Sequence, residues 1–212
     1  MNLRPLADEF HRRFEQIMSA REVVLGASRR SIRASANSIR AIHRGELDEA
    51  HRLQAEARAA LDEGEQAAAG HPNRLFAGML GDAQKEYAES LISEAVVTGK
   101  DLPTPEELRV DLAPYLNGMA EAIGECRRAI LDMLRIGEVG RSEAMLAAME
   151  DMYYLLVSMD YPDGITGQLR RSTDVARSLL EKTRGDLSVS IGQRRLHDAL
   201  EEHRGNLAEP PS

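Results

Sequence analysis

A helical pattern of about forty residues, Pro5 to Arg44, opens the chain without a break. At ~1.5 Å per residue this is a rod about 60 Å long. Pro5 suits the first turn of a helix, and Gly45 stops it. Met18, Leu25, Ile32 and Ile39 recur at intervals of seven and fall on one seam. The residues around them are small: Ser28, Ser31, Ala34, Ser35, Ala36 and Ser38. Small side chains permit close helix–helix approach, so the seam reads as the core of a bundle built on one long helix.

Glycine and proline divide the rest into further helices. The expected spans are Glu46 to Ala69, Asn73 to Thr98, Pro105 to Ile136 with Pro114 as a kink or interruption, Arg141 to Asp160, Ile165 to Arg184, and a last helix from Gly185 and Asp186 to His203. Thr104 stands as an N-cap before Pro105, Glu106 and Glu107. No stretch sustains period-two alternation. Aromatics make up only 4% of the chain, against a sandwich or barrel. The expectation is an all-α, single-domain bundle of about seven helices over residues 1–205, with 206–212 a frayed tail. The single cysteine, Cys126, excludes an internal disulfide framework and sits on an apolar stripe as a core residue. No apolar run reaches the ~18 residues of a membrane span. The opening residues MNLRPLADEF carry acids where a signal peptide would be apolar, so a cytoplasmic location is expected.

Charge is unevenly placed. From Val23 to Gly45 there are five arginines and no acid, so with −8 for the whole chain the remainder carries −13. Arg29, Arg33, Arg40 and Arg44 lie within about 60° of one another on the helix. A solvated face normally mixes signs for i,i+4 pairing. An unmixed stripe calls for an anionic counterpart, either an acidic neighbouring helix or a phosphate backbone, which arginine binds bidentately.

Two carboxylate pairs fall at helical spacing. Glu86 and Glu89 share a face of the third helix, and Glu86 lies within the apolar stripe of Leu75, Phe76, Met79, Ala83 and Tyr87. A carboxylate on an inward stripe is costly unless paired or bound to metal. Glu121 and Glu125 share a face of the fourth helix, with Glu121 nearly opposite the stripe through Leu112, Leu116, Met119, Ile123 and Cys126. Gly118 and Gly124 flank it and leave room for a close neighbour. Four carboxylates on two helices suit an oxygen-seeking ion such as Mg²⁺, Mn²⁺ or Ca²⁺. Neither pair has the histidine of a Glu-x-x-His di-iron motif. Neither a serine-hydrolase motif nor a P-loop is present.

These residues together resemble the translin/TRAX family, especially its prokaryotic TRAX-like members. Four stretches carry the resemblance in order: ASRRSIRASANSIRAIHRGELDEA; QKEYAES, similar to Gln-Glu-Tyr-x-Glu-Ala; YLNGMAEAIGECRR, similar to Tyr-Leu-x-Gly-x-Ala-Asp-x-x-Gly-Glu-x-x-Arg; and the proline turn followed by GQLRRSTDVARSLLEKTRGDL. Lys85 takes the place of the motif's Gln, Ser90 of its Ala, and Glu121 of its Asp.

The resemblance implies a translin-like helical bundle that assembles into an octamer-like shell and binds single-stranded RNA or DNA. It implies a Mg²⁺-dependent endoribonuclease, with Mn²⁺ as a substitute. Glu86, Glu89 and Glu121 would hold the metal, and Glu125 would complete the catalytic acids. Arg29, Arg33, Arg40 and Arg44 would then track phosphates. The alternative is a translin-like oligomer that holds single strands without cutting them. A third possibility is a helical scaffold whose arginine stripe pairs with acids across a subunit interface.

Overall fold

Four long helices run side by side in one direction and two run against them. A computed structural model describes residues 2–72 and 75–208, and among these it contains eight helices and no strand. They are α1 (Arg4–His43), α2 (Leu47–Ala68), α3 (Ala77–Thr98), α4 (Pro105–Leu108), α5 (Leu112–Arg135), α6 (Val139–Ser158), α7 (Asp163–Thr166) and α8 (Leu169–Ala208).

The all-α reading holds, and the packing fixes the directions. A tight turn at Gly45, with φ at +76°, folds α2 back against α1. Ser90 of α3 donates to Ser38 of α1, and Leu80 and Ala27 both lie against Gly64 of α2, so α1 and α3 are parallel. Gly81 faces Pro114 and Gly118 faces Ala88, so α5 is parallel to α3. Ser172 donates to Asn117, and Arg127 donates to Thr183, so α8 follows the same direction. The turn at Gly137 makes α6 antiparallel to α5. The main core lies among these helices, with Leu61, Ile92, Ile123, Ile130, Met149 and Leu156 almost fully buried.

The elements differ from the sequence expectation in four places. Pro114 does not interrupt a helix: it is the third residue of α5, in the first turn, where a missing N–H costs nothing. The break lies just before it, where Arg109 adopts a left-handed φ of 54° after the capping box of Thr104 and Glu107. Gly185 does not separate two helices: α8 runs for 40 residues straight through it. The burial of Leu180, Thr183 and Leu187 against the bundle outweighs the roughly 1 kcal/mol that a mid-helix glycine costs. Met18, expected on the core seam, is 65% exposed, because Gly64 near the end of α2 already packs against Ala27 and the earlier turns of α1 run on past it. The last helix, expected to end near His203, runs on to Ala208, through residues 206–208 of the expected tail. The expected start of the third helix at Asn73 and residues 209–212 of that tail lie outside the described residues.

Candidate metal centre and basic face

The carboxylates sit where α3 and α5 nearly touch. A Cβ added at Gly118 would stand 2.6 Å from the carbonyl oxygen of Lys85 and 3.0 Å from the amide of Glu89. Only glycine permits that approach, and it lets acids on two separate helices converge. One carboxylate oxygen each from Glu86, Glu89 and Glu121 lies within 4.8 Å of the others. The two halves of the cluster come from sequence positions more than thirty residues apart.

The cluster is electrostatically loaded. Glu89 is buried, and burial together with the nearby charges of Glu86, Glu121 and Glu125 pushes its carboxyl up to about 8. Burial also raises Glu86, and Lys85 only partly offsets it. Lys85 Nζ lies 2.6 Å from a Glu121 oxygen and 3.4 Å from a Glu86 oxygen. Burial works against the ammonium, but the two carboxylates outweigh it and raise its pKa. Glu121, expected to be exposed on its own helix, is partly so, with 40% of its side chain accessible. It looks across at Lys85 and not away from the bundle.

Glu125 stands apart from the other three. Its carboxylate meets the imidazole of His43 at 2.5 Å, and that bond, ahead of the opposing effect of burial, holds it below the usual carboxylate range. His43 is the residue that sequence reasoning missed. It has no partner at helical spacing, and its actual partner is 82 positions away. Its place on α1, within about 60° of Arg40, was the available clue. Arg128 also approaches Glu125, at 3.8 Å.

His43, at the end of α1, turns inward to Glu125 of α5, beside the outward-facing arginine stripe. Arg29, Arg33, Arg40 and Arg44 are all exposed. Arg44 pairs with Glu46, and Arg40 donates to the Asn37 side chain. Arg29 and Arg33 form no ion pair among the described residues, whereas Arg30, off the stripe, pairs with Glu63. The acidic neighbouring helix that would neutralise the stripe is therefore not supplied within this chain's described residues at Arg29 and Arg33.

Beside the cluster opens a cleft of about 870 Å³. Lys85, Glu89 and Glu121 contribute to its lining, together with Asn117, Gln168 and Arg171. Cys126 is buried as expected, and desolvation pushes its thiol up to about 12, which makes it inert.

The fold has close counterparts of known structure. The chain superposes on AfC3PO with a TM-score of 0.80 and 32% identity, covering 89% of this chain and 98% of that one. It superposes on AfC3PO in a complex with duplex RNA with a TM-score of 0.82 and 31% identity, over 89% of this chain and 97% of that one. The chain belongs to the translin/TRAX-like family. Another C3PO structure, apo-NeC3PO, has the same fold at 19% identity and a TM-score of 0.79, over 88% of this chain and 97% of that one. An uncharacterized protein of Methanocaldococcus jannaschii is 31% identical over 135 residues, or 63% of this chain. The chain spans 60% of that relative's length. No protein-family model matches the chain. The donor set of three carboxylates fits a hard divalent cation. No helix among the described residues is long and apolar enough to cross a membrane.

Proposed function

We propose that this protein binds RNA, with single strands of RNA or DNA as its preferred ligands, and hydrolyses RNA with a bound Mg²⁺ or Mn²⁺. The observation that carries this reading is the convergence of Glu86, Glu89 and Glu121 across the Gly118 contact. It is supported by 31% identity to AfC3PO, a protein solved with duplex RNA. Glu86, Glu89 and Glu121 would hold the metal, and Glu125, fixed by His43, would be the supporting acid. A metal held there would supply Lewis-acid chemistry, polarising the scissile phosphate and lowering the pKa of an attacking water.

The protein's own groups do the rest. Arg29, Arg33 and Arg40 neutralise backbone phosphates along the exposed face of α1, with Arg44 at its end. The cleft lined by Lys85 and Arg171 offers cations to an anionic chain. With few aromatics for stacking, binding discriminates weakly among base sequences. The working form is a cytoplasmic, octamer-like homo-oligomer in which residues 1–205 of each chain form one domain.

The experiment is cleavage of end-labelled single-stranded and duplex RNA with Mg²⁺, with EDTA, and by Glu86→Ala. Cleavage abolished in both EDTA and the variant places the chemistry at the cluster. The Lys85–Glu121 ion pair favours a second reading, a translin-like oligomer that binds without cutting, because it fills the cluster with an internal cation. Intact RNA that shifts on a native gel supports that reading.

A further inference from the structure

We propose that Lys85 is a tethered competitor for the divalent cation: its ammonium occupies the carboxylate cluster and must be expelled into the adjoining cleft before a metal enters. The inference rests on the reading that Glu86, Glu89 and Glu121 form a metal site.

The geometry supplies three parts of the argument. First, the ammonium sits between two of the three candidate ligands, 2.6 Å from Glu121 and 3.4 Å from Glu86. A divalent ion coordinated by those oxygens and an ammonium hydrogen-bonded to them claim the same lone pairs, and the two cations repel. Second, the Lys85 backbone cannot move to relieve the conflict, because its carbonyl is packed against Gly118 of α5. The side chain alone must give way. Third, there is somewhere for it to go. Lys85 lines the 870 Å³ cleft, and so does Asp82, one turn earlier on the same helix. A lysine on a four-carbon stem turns from Glu121 toward Asp82 by rotamer change alone.

The arrangement has a purpose on both sides of the exchange. Without metal, the Glu86 and Glu121 carboxylates lie close together, and Lys85 supplies the positive charge that steadies them. With metal, that service is redundant, and the metal's binding energy is reduced by the cost of breaking two ion pairs. Metal affinity is therefore weaker than the donor set alone would give.

The test is calorimetric titration of Mn²⁺ into the full-length protein, with Lys85→Gln, Lys85→Arg and Glu89→Gln alongside the wild type, and thermal melts in EDTA to establish that each is folded. K85Q removes the competitor and binds Mn²⁺ at least tenfold more tightly than wild type. K85R keeps the charge and stays within about threefold of wild type. E89Q binds at least tenfold more weakly. Equal Mn²⁺ affinity in K85Q and wild type overturns the inference and leaves the metal site standing. Tightening in K85R as large as in K85Q attributes the effect to packing and also overturns it. Absence of binding in all four proteins removes the metal site and the inference together. A lysine with only a structural role predicts a lower melting temperature for K85Q in EDTA with its Mn²⁺ affinity unchanged.

Discussion

Gly118 lies against Lys85 with so little space that a single added carbon would come within 2.6 Å of the Lys85 carbonyl. That contact is between two backbones, so no flexible side chain can absorb an intrusion. Gly118→Ala should lower stability by about 1–3 kcal/mol, the usual cost of overpacking. For a chain of this size that is a fall in Tm of roughly 2–4 °C per kcal/mol, measured by circular dichroism. The larger effect should be on Mn²⁺ binding, because the strain is relieved only by moving α5 away from α3.

Glu89 makes metal-free stability depend on pH. Its folded pKa of about 8 lies above the ordinary 4.5. Below pH 4.5 both states are protonated and the contribution to stability is fully present. Between pH 4.5 and 8 the unfolded chain releases a proton that the folded one retains, so stability falls as pH rises, by at most about 1.4 kcal/mol per pH unit. Urea melts in EDTA at pH 5 and pH 8 should show this decline, and Glu89→Gln should flatten it. A decline of equal size in the variant would assign it to another group.

Glu94 behaves in the opposite sense. Burial pushes its carboxyl upward, but hydrogen bonds from His51, Gln54 and Lys100 outweigh that and hold it low. Its contribution is present above the ordinary carboxylate range and is lost as pH falls through its depressed folded value. Glu94→Gln should cost about 1–3 kcal/mol at pH 7 and make the remaining stability less sensitive to acid. Chemical denaturation at pH 7 and pH 3.5 measures both.

Arg29 and Arg33 carry charge with no ion-pair partner among the described residues. The double variant Arg29→Ala, Arg33→Ala should weaken binding of single-stranded RNA and reduce the log–log salt slope by about 1.4, from ~0.7 for each phosphate no longer neutralised. Its melting curve should stay within about 0.5 kcal/mol of wild type. Arg30→Ala, which breaks the exposed pair with Glu63, serves as the comparison and should change the slope less. Fluorescence anisotropy over a salt series reads all three proteins.

The helical class, the long first helix and the spacing of Glu86 with Glu89 are all legible in the sequence, because each is local: a composition, an uninterrupted period, an i,i+3 pair. What is not legible depends on distance along the chain. His43 meets Glu125 only because α1, α3 and α5 lie parallel, and no local pattern encodes that bearing. Lys85 is visible as a departure from a motif, but its hydrogen bond to Glu121 requires the Gly118 approach. The helix breaks differ from expectation where tertiary burial overrides local preference. Gly185 is carried through by its buried neighbours, and Pro114 is tolerated because the chain has already broken at Arg109.

The carboxylate cluster is assembled from two parallel helices held in register by one glycine contact. A slide of α5 by a single residue would shift Glu121 by ~1.5 Å along the axis and swing it by ~100°, out of reach of Glu86 and Glu89. The cluster is thus a vernier on the bundle: its capacity to gather three oxygens around one ion reports misalignment of α3 and α5 that would leave the helical content untouched.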